Sequence, residues 1–168
     1  MKVQIKKVRK NAIIPKYQTP GSAGFDVHAV IDKAVEGYFD GPYAPDGSAY
    51  YVYSNTQCIV PTGLAFSIPQ GYELQIRPRS GLAAKKCITI TNSPGTLDSD
   101  YLDELFVIIR NEGKEMFVIK EGDRIAQCVL KQVERAEFEE VADFDEETKK
   151  KDRGGGFGST GINNAGAK

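Results

Sequence analysis

The sequence predicts an all-β sandwich or barrel, and three observations carry that prediction. Short runs alternate apolar and polar side chains, as in Tyr72-Glu73-Leu74-Gln75-Ile76-Arg77 and Val3-Gln4-Ile5, which puts each apolar set on one sheet face. Turn residues separate many of the runs, at Pro61-Thr62-Gly63, Pro69-Gln70-Gly71, Glu112-Gly113 and Glu121-Gly122-Asp123. Only one stretch, Ser80–Lys86, reads as helix: Leu82, Ala83 and Ala84 favour it, and Ser80 is expected to cap it.

The first strand is expected over residues 3–5, and a second around Asp26, in a run otherwise suited to burial. Further strands are expected over residues 56–60, 64–68, 72–77, 87–91, 105–109, 116–119, 125–130 and 133–141. Residues 37–55 (GYFDGPYAPDGSAYYVYSN) depart from this pattern, being rich in Tyr, Gly and Pro. They read as a long loop or excursion whose five tyrosines can pack as a surface cap or form an interface. After Val141 the chain turns strongly charged and then glycine-rich, with little left to build a core. The organisation expected is therefore a β domain over residues 1–151 and a flexible arm over 152–168, ordered by a ligand or another subunit.

Composition removes several functions. With 168 residues the chain has about one domain's length, and 22 Lys+Arg against 23 Asp+Glu leave a net charge of −1. That lacks the basic field of a protein that embraces nucleic acid. No apolar run approaches the ~18 residues of a membrane span, and MKVQIKKVRK has no apolar segment after it, so the expected location is the cytoplasm. Cys58, Cys87 and Cys128 form no CxxC pair, and read as buried or idle thiols. His28 is the one imidazole, so it cannot anchor a multi-His metal site; a nucleophilic triad would have to be built on it beside Asp26.

Chemistry concentrates in five segments. Arg153-Gly154-Gly155-Gly156-Phe157-Gly158-Ser159-Thr160-Gly161 offers closely approachable backbone N–H groups, two hydroxyls, a guanidinium and a ring, which suits a nucleoside triphosphate. It satisfies GxGxxG formally but is followed by too few residues for a crossover helix, and it lacks the Lys of GxxxxGK[ST]. Arg77-Pro78-Arg79-Ser80-Gly81-Leu82-Ala83 ends a strand and opens the short helix, giving a second place for phosphate. Gly122-Asp123-Arg124-Ile125-Ala126-Gln127 sets Arg124 and Gln127 near the start of a buried strand. Asn92-Ser93-Pro94-Gly95-Thr96-Leu97-Asp98-Ser99-Asp100-Tyr101 lies between two strand-like runs, so a hairpin would project two carboxylates, a tyrosine and an amide together. Either Asp98 or Asp100 suits a base that takes the proton of a water attacking phosphorus. Ala23-Gly24-Phe25-Asp26-Val27 carries the fifth feature, a carboxylate in a burial-prone strand.

In this order the five segments resemble the motifs of the homotrimeric dUTPases, the deoxyuridine triphosphate nucleotidohydrolases: AGFDVHA, RPRSGLA, GTLDSDY, GDRIAQ and RGGGFGSTG. The resemblance implies a jelly-roll subunit whose C-terminal arm crosses to a neighbour, with three active sites at the interfaces of a trimer. It implies hydrolysis of dUTP between the α and β phosphates to dUMP and pyrophosphate, lowering dUTP and supplying dUMP for thymidylate synthesis. It also implies Mg²⁺ held mainly by the triphosphate and water, with no direct protein ligand.

By the same resemblance Asp98 is the base and Tyr101 the platform that leaves no room for a 2'-hydroxyl. The hairpin from Asn92 through Thr96 and Leu97 to about Phe106 reads uracil. Arg79, Ser80, Gly81 and Gln127 contact phosphate, and Asp26 and Arg124 support them. In the arm, Arg153 meets the γ-phosphate, Phe157 stacks on uracil, and Gly158, Ser159 and Thr160 cradle phosphate. The sequence departs from the family pattern in three places. Arg153 and Phe157 stand four apart rather than five, Asp103 takes the place of a common glycine, and the excursion at 37–55 is long enough to modulate the trimer or meet a protein partner. The rivals are a dCTP deaminase of the same fold, which the glycine-rich motif and LDSDY oppose, a nucleotide-dependent regulatory protein, and an RNA-binding module using the tail.

Overall fold

Strands form where alternating residues find a partner strand on each side and a cover for the apolar face. A computed structural model describes residues 1–31, 44, 47–152 and 154. Within them come β1 (Gln4–Lys7), β2 (Phe25–His28), β3 (Ala49–Val52), β4 (Gln57–Pro61), β5 (Leu64–Ser67) and β6 (Tyr72–Arg77). Helix α1 (Ser80–Lys86) follows, then β7 (Ile88–Ile90), β8 (Gly95–Leu97), β9 (Phe106–Asn111), β10 (Phe117–Lys120), β11 (Arg124–Gln132) and α2 (Glu146–Lys149). Among the described residues no helix is long and apolar enough to cross a membrane.

The ladders are antiparallel. A four-stranded sheet runs β2-β11-β6-β8 and a three-stranded sheet β4-β9-β7, with β1 on β5 and β10 on β3 as separate pairs. The core is filled from the inward positions, with Val27, Val52, Val60, Leu64, Phe66, Leu74, Val107, Ile109, Ile119 and Ile125 buried. In β9 the third inward position is Asn111, fully buried yet satisfied. Its Nδ2 donates to the carbonyls of Val52 and Glu115, and its Oδ1 accepts from the Gly113 N–H. That amide ties the β9–β10 turn to β3.

Residues Met1–Glu134 form one compact unit and Arg135–Lys168 another. The structure corrects four expectations. Residues 133–141 form no strand: β11 ends at Gln132, and Phe138 beyond it is 94% exposed, so the apolar positions there lack the cover that alternation needs. The excursion at 37–55 is not all loop, because Tyr50 and Val52 turn inward in β3 while residues 49–52 pair with β10; residues 37–43, 45 and 46 lie outside the described residues. A second helix exists, where the Asp145 carboxylate accepts from the Thr148 N–H and caps α2. Ser80 does not cap α1: the N-cap is Arg79, without a side-chain hydrogen bond.

Candidate functional site

The connection from β7 to β9 builds a cleft. These two strands pair directly, Ile90 opposite Ile109, so the chain between them must leave the three-stranded sheet and return. On the way β8 joins the other sheet, with Gly95 opposite Ile76 and Leu97 opposite Leu74. A cavity of about 270 Å³ opens along this crossing, floored by Ile59, Ile76, Ile90 and Leu105. Asn92, Thr96, Leu97, Asp98, Tyr101 and Phe106, six of the residues expected to bind substrate, all line it.

Asp98 is exposed, and its backbone carbonyl accepts from the Tyr101 N–H at 3.2 Å, which closes a turn between the two. The Tyr101 hydroxyl donates to the Glu104 carbonyl at 3.1 Å. Asp103 has no left-handed φ, which glycine would otherwise favour, so the departure at that position is accommodated without backbone strain. An apolar floor with a rim of amide, hydroxyl, carboxylate and phenol suits a flat heterocycle carrying a polar edge.

The second cluster gathers on the β2-β11-β6 side. Gln127 stands opposite Asp26 on β2 and opposite Arg77 on β6. Gly24 permits the close approach of the segment leading into β2, since a Cβ there would lie 2.8 Å from the Cys128 carbonyl. Asp26 is 7% exposed and pairs through Oδ2 with Arg79 Nη2 at 3.2 Å and Arg124 Nη1 at 3.3 Å. Arg79 also donates from Nη1 to the Arg124 carbonyl at 3.0 Å. One buried carboxylate thus holds two guanidiniums side by side, and the exposed Gln127, Ser80 and Gly81 lie on the neighbouring chain segments. The Asp26 carboxylate cancels one of the two positive charges, so the cluster keeps a net charge of one beside the backbone N–H groups that open α1.

These clusters sit at separate places along β6. Leu97, beside Asp98, stands opposite Leu74 in β6, whereas Arg79 comes two positions after β6 ends at Arg77. Arg153, Phe157, Gly158, Ser159 and Thr160 lie outside the described residues.

Sequence reasoning missed two things. Ile59, Ile76, Ile90, Val107 and Ile108 read only as strand residues, although they line the cleft. Glu104 falls inside the hairpin expected to read uracil but is not singled out, because its partners Arg9 and Gly63 are distant in sequence. Among the thiols, Cys58 and Cys128 are buried, and burial pushes both up to about 12. Cys87 is exposed, and it ends α1 in the left-handed conformation at φ 54°. His28, on β2, has a buried Nδ1 with no hydrogen-bond partner among the described residues. Burial lowers its pKa; Arg124 and Arg79 add to this, while Asp26 opposes it.

A model of the dUTPase family matches residues 47–161. The deoxyuridine 5'-triphosphate nucleotidohydrolase of Nautilia profundicola is 46% identical over 96% of this chain and 99% of its own length. The protein of the same name from Helicobacter pylori is 42% identical over 98% and 100%. Among solved structures, the dUTPase from phage phi11 of S. aureus matches with a TM-score of 0.71 at 20% identity, covering 87% of this chain and 99% of that one. A variant of the Staphylococcus bacteriophage 80alpha dUTPase with dUpNHpp gives a TM-score of 0.72 at 23% identity over 96% and 99%. At these identities the two structures speak for the fold, a jelly-roll-like β-sandwich.

Proposed function

The chain belongs to the dUTPase family and hydrolyses dUTP to dUMP; from that premise we propose that its cleft holds the nucleoside and its guanidinium cluster holds the phosphates, on two different subunits of a homotrimer. The separation between the Asp98 turn and Arg79 carries this reading, because a nucleotide bound across it would need both groups at once. Further support comes from the second unit, where Phe138, Val141 and Phe144 are exposed on a segment that pairs with no strand among the described residues, as expected of a surface that a neighbouring copy covers. In the proposal the arm begins near residue 152, and Phe157 stacks on the base while Arg153, Gly158, Ser159 and Thr160 meet the phosphates. The reaction is set in the cytoplasm.

Uracil lies in the cleft, with its polar edge toward backbone groups of the β7–β9 connection and the Asn92 amide. A 4-amino group or 5-methyl then meets unpaired groups or a clash. The Tyr101 ring lies under the deoxyribose. Asp98 takes one proton from a water whose oxygen bonds to the α-phosphorus; the bond from that phosphorus to the bridging oxygen breaks, and pyrophosphate leaves. Arg79, with Gln127 and the Ser80 and Gly81 backbone, stabilises the phosphate charge. Among the described residues no three His, Cys, Asp or Glu gather as a metal cage. In the proposal Mg²⁺ would be held by triphosphate oxygens and water. When bound, Mg²⁺ neutralises phosphate charge.

The test is turnover with Mg²⁺ on dUTP, dCTP, dTTP and UTP in parallel, resolving dUMP, pyrophosphate and ammonia. Pyrophosphate from dUTP alone is expected. Ammonia from dCTP would move the reading to the deaminase chemistry.

A further inference from the structure

The geometry points to Arg9 and Glu104 as a positioning pair that sets the height of the Tyr101 ring in the cleft and, through it, selection against a 2'-hydroxyl. This inference rests on the reading of Tyr101 as the sugar platform. It begins at β1, whose pairing with β5 is continued by the Val8 N–H donating to the Gly63 carbonyl at 2.8 Å. Arg9 is thereby delivered over the β4–β5 turn. That turn needs a glycine, because Gly63 has φ +69° and a Cβ there would come within 2.7 Å of the Ala12 Cβ and 3.1 Å of the Arg9 Cβ.

Glu104 lies beneath. Arg9 Nε donates to both of its carboxylate oxygens, at 2.7 and 2.9 Å, and the Gly63 N–H donates to Oε1 at 2.7 Å. The two side chains are 19% and 11% exposed, so the pair is largely shielded from screening by water. The next residue is fixed as well. The Leu105 N–H donates to the Leu64 carbonyl, and the Leu105 carbonyl accepts from the Thr62 N–H and hydroxyl. Residues 104 and 105 are therefore tied to the β4–β5 turn from both sides of the backbone.

The consequence falls on Tyr101, whose hydroxyl donates to the Glu104 carbonyl. Glu104, Leu105 and Tyr101 all line the cleft. A platform excludes a hydroxyl only if it cannot retreat, and here its far end is fastened to a residue clamped by a charge-assisted pair. Glu104 and Arg9 need not touch the substrate to act. They keep the ring from dropping and opening room beneath the sugar.

The test compares kcat/KM for dUTP and for UTP in the parent protein and five variants. Glu104→Ala is expected to lower the dUTP-to-UTP selectivity about tenfold, chiefly by raising the UTP value. Tyr101→Phe, which lacks the anchoring hydroxyl, is expected to do the same, and the double variant to go no further. Glu104→Gln, which keeps an acceptor for the Gly63 N–H, is expected to recover part of the selectivity. Arg9→Met reaches the same clamp from the other side if Glu104→Ala does not fold. Unchanged selectivity in folded Glu104→Ala or Arg9→Met, with only the melting temperature lowered, would overturn the inference, as would additive losses in the double variant. A parent protein with no preference for dUTP over UTP would instead overturn the Tyr101 reading on which it rests.

Discussion

The cleft and the guanidinium cluster solve opposite problems by different means. The cleft takes its shape from backbone: β8 leaves one sheet to pair in the other, and the space beside it is walled by side chains that otherwise belong to the core. The cluster takes its shape from charge, with Asp26 holding Arg79 and Arg124 from two other chain segments. The first can reject a ligand by fit, whereas the second attracts any anion. In the proposed reading selectivity falls to the cleft and grip to the cluster.

The largest effect is expected where the chemistry lies. Asp98→Asn should retain nucleotide binding but lose roughly 10²-fold or more in turnover; stopped turnover with intact dUTP binding in calorimetry checks it, and an unimpaired variant would remove Asp98 from the mechanism. Next comes the cluster. Asp26→Ala leaves two guanidiniums without their shared carboxylate, and a loss of about 2 kcal/mol is expected, below the figure for a fully buried pair because Arg124 is half-exposed. Chemical denaturation checks it, and weaker phosphate binding should accompany the loss.

His28 gives the same side of the molecule a pH dependence. Its folded pKa lies below the ordinary 6.5 because of burial, so beneath that pH the unfolded chain binds more protons than the folded one. Stability should fall as pH drops below about 6.5 and level off below the folded pKa. The parent minus His28→Gln difference across melts from pH 8 to 5 isolates this contribution; a flat difference would contradict it. The smallest effect concerns the segment that joins the two regions, since α1 leads from Arg79 to β7 through Cys87. Cys87→Gly relieves a left-handed residue and is expected to stabilise by about 0.5–1 kcal/mol, read as a small rise in melting temperature.

Most strands were legible because alternation is a local property: β6 spans the same six residues in sequence and structure. The misses share one cause, dependence on a partner. Residues 49–52 look like a tyrosine-rich loop until β10 lies beside them, and Gly95–Leu97 looks like turn chemistry until β6 does. Residues 133–141 fail in the converse way, alternating without a partner among the described residues. In the candidate site, motif chemistry pointed to Asp98 and Tyr101, which the structure sets in the cleft, and to Arg79 and Asp26, which form an ion pair. It did not find Glu104, whose partners Arg9 and Gly63 lie 95 and 41 positions away. Nor did spacing show that Asp98 and Arg79 stand apart, which follows only from the β6–β8 register.

That separation is tested most directly by co-refolding Asp98→Asn and Arg79→Gln, each nearly inactive alone, and assaying dUTP hydrolysis by the mixture. If each site takes its cleft from one chain and its cluster from another, random mixing restores about a quarter of parental activity, because that share of interfaces joins two intact halves. Activity no greater than that of the two variants assayed separately would contradict the shared site and return both clusters to a single chain.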